Sequence, residues 1–544
     1  IKLHSNQVMV KNFITALLLF ILTSGSLFAG GGEPFTVEFE EVNIPGAPNV
    51  HSFVFAKSNG KWLIIGGRTN GLHGFTPITA FPVSYQNKRV YVIDPNTNQV
   101  WSRELALDLP ASTADALRST NQQYVQVGNN LYVTGGYGID STVGQVKTLP
   151  RLTVIDVDGM INAVINSTTV SPFVKQMTDS RVQVTGGEMG YMDGYIYLFG
   201  GHNFTGVYWN TGQGTNNQVY TDSYKKFQVS VAGSTVSIDN YTQVTDTNNL
   251  HRRDLNLVNA IKPDGSEYLI NYGGVFRKDI DLPFLTPIVL DGSGITVHSF
   301  DQKYNQYTTA HINLFDSTTL DMHTMFFGGT GMWYYDTVNS TTEVDSLVPF
   351  VDDISLMTRN SAGNFAELLY PNRMPGLLGT NAKFVLNDNI PQYDNGVIKM
   401  REINARTFVG YIYGGIKATA PNPGTGGMGS SSASDVILKV YIRPFWVGIQ
   451  NISGEIPEGF SLMQNYPNPF NPSTKIRFAI PESGQVKLNV YNSIGQKVTE
   501  LVNTNLTAGT YESTWDAQNI AGGVYFYKLE TDNYSETKKM LLIK

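Results

Sequence analysis

The run His251-Arg252-Arg253-Asp254 sets two guanidiniums and a carboxylate beside an imidazole, just ahead of the apolar segment LNLVNAI. Forked donors of this kind grip carboxylates or sugar hydroxyls, and an apolar strand has no packing use for two adjacent arginines. Residues of similar competence recur along the chain: Arg68, His73, Arg118 with Asn121, Tyr137, His202 with Tyr208 and Trp209, Arg277 with Asp279, His311, Trp333 with Tyr334 and Tyr335, Arg406 and Lys417. Aromatic planes would stack on the apolar faces of a sugar ring while polar groups fix its orientation. Arg118, Asn121, His202, Arg252, Arg253, Asp254, Trp333 and Arg406 form the expected ligand-binding set. Each also has a structural reading, as a clamp on neighbouring backbone carbonyls or as core filling.

Signs of catalysis are few. The chain has no Walker loop, HExxH, GxSxG or sialidase-type aspartate box, and no cysteine, which removes thiol nucleophiles, thiolate metal sites and disulfides. Asp352-Asp353 and Glu40-Glu41 are adjacent along strands, where side chains point to opposite faces, so neither is expected to act as an acid/base dyad. The Asp94-Pro95-Asn96-Thr97-Asn98 turn lacks the glutamate and spacing of a calcium loop. No catalytic residue, metal or cofactor is expected. The net charge of −7, with no basic run, excludes a nucleic-acid footprint.

What must position the candidate residues is a repeated strand that stops at Gly-Gly: KWLIIGG, NLYVTGG, YIYLFGG, YLINYGG, HTMFFGG and FVGYIYGG. Each follows a shorter strand and, in most cases, an Asn-Gly, Asn-Asn or Asp-Gly turn, the signature of a two-residue hairpin. With 53 glycines, 41% hydrophobic and 15% charged residues, the composition suits many short strands, and an all-β fold is expected.

The six Gly-Gly marks, with Tyr91 and Trp101 downstream of the first, resemble the kelch repeat. The resemblance implies a six-bladed β-propeller over 33–447, with FTVEFEEV (35–42) closing the ring beside DVILKVYI (435–442). The second glycines at 67, 136, 201, 274, 329 and 415 leave intervals of 69, 65, 73, 55 and 86 residues, against about 50 for a bare blade. The surplus is expected as loops gathered on one face around the channel, where binding surfaces usually reside. Some kelch propellers are sugar epimerases or mutarotases. That keeps an extracellular carbohydrate-active enzyme, with His202 or His311 exchanging a proton, as the alternative to a binding protein that does no chemistry.

The two ends read as addresses. Lys11, the apolar run FITALLLFIL (13–22) and Ala29-Gly30 have the layout of a signal peptide over 1–29, with Met9 as the start, and the apolar run is too short to span a bilayer. After an expected linker at 448–459, residues 460–544 alternate cleanly as TKIRFAI, QVKLNVY, QKVTELV, GTYESTW, GVYFYKLE and ETKKMLLI, an immunoglobulin-like sandwich by pattern. The pieces NYPNPF, YNSIGQKV, GVYFYKL and KKMLLIK, in that order, resemble the type A C-terminal sorting domain of the type IX secretion system. This resemblance implies passage through the periplasm, the secretion machinery as partner, and a secreted or cell-surface location. A polysaccharide or an extracellular protein is the expected ligand.

Overall fold

The computed structural model describes residues 33–544 apart from 75, 77–78, 209–215, 404, 424–429, 445–449, 454 and 518–519. The expected signal peptide and Trp209 lie outside the described residues. The chain divides into two compact units, the first Val37–Arg443 and the second Pro444–Lys544 together with the residues up to Thr36.

The first unit contains six antiparallel sheets that follow one another along the chain. Sheet 1 is Val54–Ser58, Lys61–Ile65, Arg89–Asp94 and Gln99–Glu104; sheet 2 is Gln123–Val127, Asn130–Thr134, Arg151–Asp156 and Val174–Thr178. Sheet 3 is Glu188–Met192, Tyr195–Phe199, Ser223–Ala232 and Thr235–Thr245; sheet 4 is Arg253–Ile261, Glu267–Val275, Ile288–Asp291 and Gly294–Val297. Sheet 5 is His311–Asp316, Asp321–Thr330, Phe350–Arg359 and Phe365–Arg373, with Ile398–Lys399 added in parallel to its first strand. Sheet 6 is Lys383–Leu386, Thr407–Tyr413, Ile437–Pro444 and, as its outer strand, Phe35–Val42. The strand expected to close the last sheet therefore does lie beside Ile437–Pro444.

The core lies between successive sheets. Leu63 and Val92 of sheet 1 share a cluster with Leu131 and Ile155 of sheet 2, and Leu152 and Val154 of sheet 2 share another with Met189 and Ile196 of sheet 3. A larger cluster unites Tyr197, Val258, Ile270, Phe326 and Met357 of sheets 3 to 5. Phe327 and Phe384, with ring centroids 5.7 Å apart, join sheets 5 and 6, and Trp62 and Tyr411, at 4.9 Å, join sheets 1 and 6.

The Gly-Gly pairs make these contacts possible. In every pair both glycines have positive φ, from 58° to 93°. At Gly67, Gly136, Gly201, Gly274 and Gly415 the N–H donates to a carbonyl of the neighbouring sheet's approach segment, respectively Ser119, Val184, Arg252, Gln306 and Val50. A Cβ on the first glycine would strike the same backbone: at Gly135 it would lie 1.8 Å from the Val184 oxygen and at Gly273 2.1 Å from that of Gln306. Only glycine meets both demands.

Two expectations need correction. After four of the six Gly-Gly pairs the surplus residues carry strands and are not only irregular loop. Tyr137–Asp140 with Gln145–Thr148, and His202–Thr205 with Asn217–Tyr220, form two hairpins joined at Thr205 and Lys147 into an extra sheet. Trp333–Asp336 pairs Thr341–Val344, and Leu377–Thr380 joins Ile416–Ala418 and Ser431–Ala433. Second, two helices interrupt the pattern at Ala111–Arg118 and Val157–Ile165, the latter begun by Asp156, whose carboxylate accepts from the Gly159 N–H at 3.0 Å.

In the second unit, Ser473–Ile480, Gly509–Asp516, Gln450–Ser453 and Ser461–Leu462 form one four-stranded sheet, and Gly484–Asn492, Lys497–Leu506, Gly523–Glu530 and Ser535–Leu542 the other. Ile476, Phe478, Leu488, Val490, Tyr527 and Met540, drawn from both sheets, share one buried cluster. The segment expected as a linker at 448–459 supplies the strand Gln450–Ser453 to this unit, since its backbone pairs with Glu512 and Tyr511.

Candidate functional site

Each sheet's first strand is approached by a residue that takes part in a backbone chain running from sheet to sheet. Asn121 N–H donates to Ser52 O (3.2 Å), Gly186 to Asn121 (3.2 Å), Asp254 to Gly186 (2.7 Å), Thr308 to Asp254 (2.9 Å) and Asn381 to Thr308 (2.9 Å). Ser52, Asn121, Gly186, Asp254 and Asn381 have φ between 49° and 69°. Asn, Asp and Gly tolerate that left-handed conformation best, which explains their use here.

The residue immediately before each member of this rim except Thr308 pairs with the residue immediately after a Gly-Gly: His51 with Arg68, Thr120 with Tyr137, Thr185 with His202, Arg253 with Val275 and Thr380 with Ile416. Residues far apart in sequence thereby share one end of the sheets. Around Arg253 they meet directly. Its Nη1 donates to His202 Nδ1 (3.2 Å) and its Nη2 to Tyr208 Oη (3.0 Å), and its guanidinium lies 4.2 Å from the Phe276 ring centroid. Gln218 Nε2 also donates to His202 Nδ1, at 2.6 Å. Two donors on Nδ1 fix it as the acceptor nitrogen, and burial, then the charge of Arg253, hold the imidazole neutral. Arg253 Nε is buried without a hydrogen bond, 3.7 Å from Asp254 Oδ2.

Aromatic rings extend this group toward sheets 1 and 2. His73 stacks on Phe81 at 4.3 Å and meets Tyr208 at 5.0 Å, and Tyr137 touches Phe81 at 5.3 Å and Phe204 at 5.6 Å. At the centre, Ser52, Asn121, Glu188, Asp254, Thr308, Asn381 and Lys383 line a narrow cavity. Lys383 Nζ stands 3.6 Å from Glu188 Oε1, linking sheets 6 and 3 across it. Burial raises the Asp254 carboxyl, with Arg253 opposing, and likewise that of Glu188, with Lys383 opposing.

The expected set thus separates. Asn121 and Asp254 belong to the rim, and His202 and Arg253 are bonded to each other beside it. Arg252 is fully buried and satisfied within the chain: Nε donates to Asn249 O, Nη1 to Gly273 O and Thr286 O, each between 2.7 and 2.9 Å, and Nη2 to Thr286 Oγ1 at 3.0 Å. It fixes the Phe284–Thr286 wall of a separate cleft of about 420 Å³ that Arg277 and Asp279 also line. Arg118 pairs with Asp115 (3.9 Å) at the end of its own helix. Trp333 opens its own hairpin opposite Val344. Arg406 stands apart from the others. It immediately precedes Thr407–Tyr413, the second strand of sheet 6, so it stands at the end opposite Gly414-Gly415, bonded to Glu38 (2.6 Å) and stacked on Tyr441 (3.6 Å).

The reason given against an Asp352-Asp353 dyad also changes. The ladder slips beside Asp353, and a single arginine, Arg373, reaches both carboxylates. Sequence reasoning did not single out Ser52, Glu188, Thr308, Asn381, Lys383 or Phe276. The available signal was a small or polar residue two places before the first strand of sheets 1, 2, 3 and 6, as in Asn121-Gln122-Gln123, Gly186-Gly187-Glu188 and Asn381-Ala382-Lys383.

Among the described residues no helix is long and apolar enough to cross a membrane, and no cluster of three or more His, Cys, Asp or Glu side chains could hold a metal ion. Comparison with curated protein sequences gives no match. Among solved structures, the chain is similar to one titled "Structure of YjhT", with 13% identity and a TM-score of 0.41 over 73% of this chain and 98% of that one. Residues 464–544 match the family model described as "Secretion system C-terminal sorting domain", and this type IX sorting tail implies export to a secreted or cell-surface location.

Proposed function

We propose that the six sheets close as a six-bladed propeller of the kelch type, delivered outside the cell by its sorting domain, and that the rim binds a glycan or an extracellular protein without chemistry. The observation that carries this reading is the run of backbone links from Ser52 to Asn381, which gathers Asn121, Asp254 and the Arg253–His202–Tyr208 group from different sheets at one end. Contacts between sheets 1 and 6 support closure: Lys57 Nζ donates to Leu386 O at 2.7 Å and Tyr413 Oη to Pro48 O at 2.5 Å.

Binding is favoured over the epimerase alternative by the state of its two histidines. His202 Nδ1 already receives two donors, and His311, pushed down to about 4 mainly by burial, is held at Nδ1 by Thr309 O at 3.0 Å. Neither offers an imidazolium as general acid near neutral pH, and the same depression makes each a weak base. The test is a glycan array probed with the exported protein, followed by product analysis of every hit. Retention of an unaltered glycan, weakened by Asp254→Asn, is the expected result. Release of an epimerised or cleaved product would replace the reading with the enzymatic one, and the absence of any glycan or protein ligand would remove it.

A further inference from the structure

The two ends of the matched sorting domain, residues 464–470 and 539–544, are far apart in sequence but folded into one another. Asn468 Oδ1 accepts from the Leu541 N–H (3.0 Å), Phe470 N–H donates to Leu541 O (3.0 Å) and Ile543 N–H donates to Phe470 O (3.0 Å). Gln464 Nε2 donates to Lys539 O at 2.8 Å. The loop that makes this clasp is itself held from within. Asn465, 2% exposed, is bonded within the chain: its N–H donates to Tyr527 Oη (2.9 Å) and its Nδ2 to Thr474 Oγ1 (2.9 Å) and Pro467 O (3.1 Å). Phe470, 1% exposed, packs on Trp515.

Against that anchored backbone stands Tyr466, paired through its main chain with Lys475 yet with its side chain 80% exposed. Leu541 and Ile543, 38% and 49% exposed, project from the other half of the clasp, while their neighbours Met540 and Leu542 are buried. An ordered loop that spends this many hydrogen bonds to hold an aromatic ring in water has no folding gain from the ring itself, because exposure forfeits its burial energy. Rigid, exposed tyrosines beside aliphatic side chains are the usual anchors of protein interfaces.

We propose that the secretion machinery recognises one composite surface, made of Tyr466, Leu541 and Ile543, and that Asn468 and Phe470 position its two halves. The signal is then a folded epitope and not the linear string 539–544. The partner is a protein of the export apparatus, because residues 464–544, which include both halves of the clasp, match a secretion-system sorting domain.

The test expresses the full chain in a bacterium with a type IX system and measures its cell-surface and released fractions. Tyr466→Ser and Asn468→Ala should each cut delivery to about one tenth or less, the effect of losing one anchor contact, although residues 539–544 are untouched. Asn468→Asp, which keeps an acceptor for the Leu541 N–H, should restore delivery, and the thermal midpoint of Tyr466→Ser should match that of the unsubstituted protein. Normal delivery of either Tyr466→Ser or Asn468→Ala overturns the composite surface, and it does so while leaving the ligand-binding reading of the first unit intact.

Discussion

Adjacent arginines at 252 and 253 divide their labour because alternate positions along an approaching strand face different ways. Arg252 turns into the protein and satisfies the carbonyls of Asn249, Gly273 and Thr286, whereas Arg253 turns toward His202, Tyr208 and the aromatic group. Arg252→Ala leaves buried carbonyls without donors, and each such loss costs about 1–3 kcal/mol. Its thermal or denaturant stability should therefore fall by at least about 3 kcal/mol. Arg253→Ala gives up two side-chain bonds, to groups that keep other partners, and should cost less stability, about 1–2 kcal/mol, while reducing ligand affinity. An equal destabilisation by the two variants, with affinity unchanged in Arg253→Ala, would make both arginines clamps.

At the scale of the element, the Gly-Gly motif is a docking device between sheets. Its second N–H bonds the neighbour's backbone, and its first Cα sits where no side chain fits. Gly135 and Gly128 make a controlled comparison because both have φ near +60°, but a Cβ at Gly128 meets nothing within 4 Å while one at Gly135 would lie 1.8 Å from Val184 O. Gly128→Ala should cost only the conformational penalty, about 1 kcal/mol. Gly135→Ala must also push sheets 2 and 3 apart and should cost more than about 3 kcal/mol by chemical denaturation. Similar midpoints for the two variants would remove the docking role. The Val157–Ile165 helix illustrates a different element-level lesson: Asp156 as cap followed by apolar MINAVI was a legible helix start, hidden by the strand repeat around it.

The whole molecule encloses a set of neutral histidines. Burial is the main cause that pushes His51 down to about 3 and His73, His311 and His323 to about 4, against about 6.5 in the unfolded chain. A group whose folded value is depressed contributes its full stability above its unfolded value and loses it as pH falls toward the folded one. The loss therefore spans about pH 6.5 to 4, and on to about 3 for His51, at up to about 1.4 kcal/mol per pH unit for each histidine. Thermal midpoints should drop steeply across this interval, and His323→Gln should lessen the slope by about one histidine's share. A flat profile from pH 7 to 5 would show that these imidazoles are reached by water and protonated in the folded state.

Periodicity was enough to show the strands of the sorting domain and the six Gly-Gly repeats, because a two-residue alternation and a glycine that must avoid a neighbour are local demands written into each segment. Asn121, His202, Arg253 and Asp254 were legible as chemistry for the same reason, since their types are unusual beside apolar strands. Which of them meet was not legible. Arg252 and Arg253 have the same side chain and adjacent positions, and only the packed neighbour gives one a wall of carbonyls and the other an imidazole. Arg406 looked equivalent until strand order placed it at the far end of sheet 6, and the YPNPF loop gave no hint that it would clasp residues 541–543. Side-chain type and alternation are properties of the chain itself; the partner across a sheet, the sheet's direction and the meeting of distant segments arise only when tertiary structure brings separate backbones within hydrogen-bonding distance.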